Sequence, residues 1–133
     1  MTFSPAAYDT ISAYFEDTGT MPEDYDAIFT GDLGLVGSEL LCLLFKQDGI
    51  NIEDKHEDCG LLIFNREEQD VHAGGSGCGC CASVLCSYIL KRFERGKFKN
   101  ILFCATGALL SPTSTQQGEN IPVIAHLVNI RGC

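Results

Sequence analysis

Residues 69–83 read QDVHAGGSGCGCCAS, and the interpretation of this run governs how the rest of the chain is arranged. It holds one His, one Asp, three Cys, two Ser and four Gly in fifteen residues. Glycine is used where the backbone takes positive φ or approaches something closely, so the density marks a special turn. Beyond Ala82, Val84, Leu85, Tyr88, Ile89 and Phe93 recur at spacings of three and four, which is a helix face. The run therefore reads as a glycine-rich loop leading into the N-terminus of a buried helix that ends near Arg95, with Gly96 as its stop. Such an N-terminus offers unpaired N–H groups and partial positive charge, which suit a carboxylate or a phosphate.

Upstream, Ser4-Pro5 starts a helix carried by Ala6, Ala7, Ile11, Tyr14 and Phe15 and stopped by Gly19. Tyr25–Thr30 is a short strand, and Gly31-Asp32-Leu33-Gly34 is a tight strand-to-helix connection. The next helix is apolar nearly all round (Leu35, Val36, Leu40, Leu41, Leu43, Leu44, Phe45), ends near Gly49 and is expected to be well buried. Ile50–Cys59 reads as a polar connection and Leu61–Phe64 as a brief buried strand. Downstream of the loop and its helix, Asn100–Ala105 is a strand, Thr106–Ala108 a turn, Ser111–Asn120 a polar loop and Ile121–Ile130 a final strand that forms a hairpin with its predecessor. The order α-β-α-β-α-β-β predicts an α/β fold, a mixed but mostly parallel sheet covered by helices.

The length of 133 residues suits one domain, and 45% hydrophobic with 20% charged residues suits a packed globule. A net charge of −9 argues against nucleic acid as a partner. The acidic residues concentrate in positions 1–70 and read as a solvated surface. The start MTFSPAAYDT lacks the basic and apolar regions of a signal peptide, so the eight cysteines are expected as thiols in a reducing interior.

Cys78, Cys80 and Cys81 with His72 raise the possibility of a metal, but C-x-C-C lacks the paired C-x₂-C halves of structural zinc sites. A cysteine nucleophile, Cys78 or Cys80, would have a depressed pKa at a helix N-terminus and a base in His72. Small packing cysteines are the competing explanation, and Cys42, Cys86 and Cys104 fall on apolar faces. GGSGCG matches a dinucleotide fingerprint only loosely, because no acidic residue closes the next strand. Asp32 follows a strand end, where ligands bind in open α/β sheets, although capping of the next helix explains it equally well. His126 in the last strand reads as a satisfied buried histidine. The hydroxyls of Thr106–Thr115 either join a pocket or serve turn chemistry.

YDAIFTGDLGLVGSELL, the DCG at Asp58–Gly60, QDVHAGGSGCGCCAS and ATGALLSPTSTQQGENIPVIAH together resemble the stage V sporulation protein AD family over essentially the whole chain. The resemblance implies the C-terminal half of a thiolase-like fold, one half-domain over residues 1–133 lacking its usual leading strand. It also implies a missing N-terminal half, with a separate chain or a homodimer as the alternative. Condensing members of the wider superfamily place a His at the end of the strand matching Ala27–Thr30 and an Asn or second His in the glycine-rich loop. Here those places read Thr30-Gly31-Asp32 and Ala73-Gly74-Gly75-Ser76, which implies a noncatalytic protein; an acyl-transfer enzyme or a purely structural half-domain are the alternatives.

What the resemblance implies is a component of the spore channel assembly that binds dipicolinic acid, with or without calcium, beside other channel subunits at the periphery of the spore inner membrane. Dipicolinate uptake during sporulation and its release in germination would be the process served. No cofactor or metal is expected. A dianion needs N–H donors and close backbone approach, so the expected ligand-binding residues are Asp70, His72, Gly74, Gly75, Ser76, Gly77 and Cys78, with Asp32 nearby.

Overall fold

The computed structural model describes residues 4–31, 33–62, 84–108 and 123–132. The elements are α1 (Ser4–Thr18), β1 (Ala27–Thr30), α2 (Gly34–Gln47), β2 (His56–Asp58), a single turn α3 (Cys59–Leu62), α4, β3 (Asn100–Ala108) and β4 (Val123–Arg131). Helix α4 opens with a π-helical turn, Leu85–Ile89, and continues as regular α-helix over Leu90–Glu94. The sheet order is β2-β1-β3-β4. β1 runs parallel to β2 and to β3, and β3 and β4 form an antiparallel hairpin. The architecture is the expected α/β one, a mixed and mostly parallel sheet with helices on it.

Period-two alternation in the central strands builds a core on each face of the sheet. Ile28, Leu102 and Cys104 face α1 and α2, where Ala7, Ile11, Phe15, Leu41 and Phe45 complete one cluster. Ala27, Phe29, Ile101 and Phe103 face the other way, onto Val84 and Ile89 of the α4 segment and onto Cys59. Burial on both faces is why the β1 and β3 sequences are almost continuously apolar. The two helices of the first face cross closely because Gly37 has no side chain: a Cβ there would lie 3.0 Å from Leu33 Cβ and 3.2 Å from Ser4 Oγ. The Ser4 hydroxyl uses that closeness to donate to the Gly37 carbonyl at 2.7 Å.

Four expectations need correction. The strand after α2 is His56-Glu57-Asp58, inside the stretch read as a polar connection, whereas Leu61 and Leu62 are helical. The register Ile28↔His56, Phe29↔Glu57, Thr30↔Asp58 makes this an edge strand, where backbone pairing and the bonds made by His56 and Asp58 outweigh apolarity. Ile63 and Phe64 lie outside the described residues. Thr106–Ala108 extends β3 rather than turning, because each residue finds a β4 partner up to Ala108↔Val123. Helix α2 is not buried all round. Only one face meets the sheet and α1, so Val36 (69% exposed) and Leu43 (52%) face outward among the described residues. Finally, His126 is exposed on β4, not buried: its strand lies at the edge of the described sheet.

Cys59 and Cys104 are fully buried as small core residues, and Cys42 is half-buried. No helix among the described residues is long and apolar enough to cross a membrane.

Candidate functional site

Because β1, β2 and β3 are parallel, their carboxyl ends (Thr30, Asp58 and Ala108) lie along one side of the sheet. Ligand sites of open α/β folds occur on that side. The described part of it is organised by Asp58, which is only 2% exposed. One carboxylate oxygen accepts the Thr30 hydroxyl at 2.6 Å and the Leu33 N–H at 3.0 Å, and the other accepts the Gly34 N–H at 3.0 Å. The first N–H groups of α2 are thus capped by a carboxylate from the neighbouring strand. Gly34 carries φ of 73°, left-handed backbone that a side chain would strain, and this conformation aims its N–H at Asp58.

His56 sits two residues before Asp58 on the same face of β2, so period two puts both over Thr30. Its Nε2 is 2.9 Å from the Thr30 hydroxyl, whose single proton already goes to Asp58. Nε2 therefore carries the proton and donates, leaving Nδ1 as an acceptor that faces the Cys42 sulfur at 4.0 Å. Burial lowers the His56 pKa to about 4, so the imidazole is neutral at ordinary pH. Burial first, and Glu53 second, push the Cys42 thiol up, which is opposite to what a nucleophile requires. On the other face of β2, burial raises the Glu57 carboxyl, partly opposed by Arg92. The Thr30, His56, Asp58 and Cys42 arrangement is a neutral-histidine network that fixes the start of α2. No group of three or more His, Cys, Asp or Glu among the described residues is arranged to hold a metal ion.

Asp32, Asp70, His72, Gly74, Gly75, Ser76, Gly77 and Cys78, the residues marked by sequence, lie outside the described residues, as do Cys80 and Cys81. Their flanks are described. Gly31 and Leu33 bracket Asp32 at the end of β1, and the loop leaves after α3 and returns at Val84. Asp58 caps α2, and the capping considered for Asp32 lies outside the described residues. Sequence reasoning missed Asp58, Thr30 and His56. The signal available was the i, i+2 pair His56/Asp58 ahead of the helix-compatible Cys59-Gly60, a strand pattern that two polar side chains disguise.

The sequence profile of the stage V sporulation protein AD (SpoVAD) family matches residues 1–131. The stage V sporulation protein AD of Bacillus subtilis (strain 168) is 51% identical over 123 residues, which cover 92% of this chain and 36% of that protein. The chain thus spans little more than a third of the length of this curated relative. A match across nearly every residue, at this identity and on an α/β fold whose strand ends gather on one side, makes the chain a member of the stage V sporulation protein AD family of sporulation proteins.

Proposed function

We propose that this chain is a noncatalytic, dipicolinic-acid-binding part of the spore channel assembly, corresponding to the C-terminal half of a two-half thiolase-like protein. It would act at the periphery of the spore inner membrane, in dipicolinate uptake during sporulation and release in germination. The observation that carries the reading is the capping of α2 by Asp58. The α2 N-terminus already holds a carboxylate and repels a second anion, so the dianion falls to the glycine-rich run. There, Gly74, Gly75, Gly77 and Cys78 would present backbone N–H groups, Ser76 and His72 would donate, and Asp70 and Asp32 would orient these donors or hold calcium brought in by the ligand.

A noncatalytic role is supported by the chemistry of the described strand ends. Thr30 stands where condensing relatives of the fold carry a catalytic His, and its hydroxyl is committed to Asp58 and His56. Isothermal titration with dipicolinate, with and without Ca²⁺, tests the proposal. Saturable heat lost on His72→Ala is expected. Absence of binding both here and in a chain extended by an N-terminal half refutes it. The acyl-transfer alternative, Cys78 or Cys80 with His72, predicts one thiol alkylated by iodoacetamide far faster than the rest at neutral pH.

A further inference from the structure

Helix α4 departs from regular geometry at its start. Over Leu85–Ile89 the turn is π-helical, and the Leu90 N–H donates to the Leu85 carbonyl, five residues back rather than four. Core packing depends on the extra residue. Val84 and Ile89 are five apart, yet both are buried in the cluster that holds Ala27, Phe29, Ile101 and Phe103. In an α-helix that spacing turns two side chains about 140° from one another, whereas the π turn brings them to one face. The helix beyond Ser87 is held firmly. Arg92 lies 4.4 Å over the Tyr88 ring, Tyr88 meets Phe29 edge-on at 6.4 Å, and Phe93 packs on Phe98 at 6.1 Å. At the start of the turn a second apolar residue is at hand. Leu85 is half-buried against the same cluster and stands four residues before Ile89, the spacing that a plain α-helix places on one face.

We propose that the first turn of α4 is a two-register device, exchanging between this π register and a plain α register in which Leu85 replaces Val84 over Ile89. From Tyr88 onward the helix stays in place. Val84 and the chain before it rotate by about 100° and shift by about 1.5 Å, one residue of helix. Two observations make the second register accessible. Val84, Leu85, Tyr88, Ile89 and Phe93 already have the three-and-four spacing of an α face, so the exchange trades one buried aliphatic side chain for another. The run that must yield or take up one residue carries glycine at 74, 75, 77 and 79, and glycine adopts new backbone angles at little steric cost. A packed core holds two such arrangements as discrete states rather than a continuum. The contacts that trade places are all made within this chain, and the device does not rest on dipicolinate as the ligand.

Methyl relaxation dispersion on the whole chain, labelled at Val, Leu and Ile, tests the device. The Val84 and Leu85 methyls are expected to exchange on the microsecond-to-millisecond scale at one shared rate, while Ile11 and Leu41, in the cluster on the other face of the sheet, stay quiet. Val84→Ala removes buried carbon chiefly from the π register and should raise the ratio of α to π about tenfold. Leu85→Ala should shift the ratio the other way and flatten the profiles. Deleting Ser87, exposed within the turn, puts Val84 four residues before Ile89 and should abolish the exchange with the fold retained. Flat profiles at both methyls in the unaltered chain overturn the proposal, as does exchange shared with Ile11 and Leu41. A shift in the same direction for Val84→Ala and Leu85→Ala overturns it as well, and so does unchanged exchange after the deletion.

Discussion

Replacing Asp58 by alanine strips three donors of their acceptor at once: the Thr30 hydroxyl and the N–H groups of Leu33 and Gly34, all at 2.6–3.0 Å from a nearly inaccessible carboxylate. Hydrogen bonds to a charged group contribute about 1.5–3 kcal/mol each, but a shared acceptor and local relaxation make their sum an overestimate. Loss of an N-cap alone costs about 1 kcal/mol; the buried Gly34 N–H left without a partner adds about 1–3 kcal/mol, and the partly buried Leu33 N–H adds the lower end of that range. A destabilisation of about 4 kcal/mol is therefore expected, a large share of the 5–15 kcal/mol typical of a domain. With a urea m-value of about 2 kcal/mol/M, the unfolding midpoint read by circular dichroism drops by about 2 M. Asp58→Asn keeps one acceptor oxygen and should lose about half as much. A midpoint shift below about 0.5 M for Asp58→Ala, at unchanged m, would refute the assignment of Asp58 as the anchor of α2.

Acid should act through His56. Its folded pKa of about 4 lies below the ordinary 6.5, so its contribution is complete above pH 6.5 and is lost as pH falls toward 4. Urea unfolding at pH 7 and pH 4.5 should differ by about 2 kcal/mol from this group, and His56→Gln should remove that part of the difference. Gly34→Ala puts a Cβ on backbone at φ 73° and should cost about 1–2 kcal/mol, read as a fall of roughly 3–6 °C in the thermal midpoint. Cys42, its thiol pushed up by burial, should react with iodoacetamide at pH 7 more slowly than free cysteine; faster labelling would contradict the neutral Cys42–His56 pairing.

The helices were legible in the sequence because their determinants are local. Spacings of three and four placed α1 and α4, and Gly19, Gly49 and Gly96 stop α1, α2 and α4 where expected. The central strands were legible for a related reason: Ile28, Phe29, Ile101, Leu102 and Phe103 are buried on both faces and so read as unbroken apolar runs. β2 was not legible, because its place depends on what lies beside it. His56 and Asp58 are polar, and only Thr30 across the strand pair and the α2 N-terminus explain why they are buried. The outward face of α2 misled for the opposite reason, since Val36 and Leu43 carry the apolar signature of a core without occupying one. Of the site, the side of the sheet was legible from the strand-to-helix order, whereas Asp58 required the register of two strands.

Pairing of β1 with β3 also bears on events at the ribosome. Ala27 meets Ile101, seventy-four residues later, and the intervening chain includes β2 and α4. At bacterial and eukaryotic synthesis rates of 5–20 residues per second, roughly 4–15 s separate the appearance of the two central strands. During that interval α1, β1, α2 and β2 can assemble, but Ile28 and Phe29 have a neighbour on one side only. The nascent chain thus carries an apolar strand edge for seconds, a target for holding chaperones and for premature pairing between chains on neighbouring ribosomes. Slow codons between residues 60 and 100 would lengthen this exposure and lower the soluble yield, whereas slow codons after residue 131 would leave it unchanged.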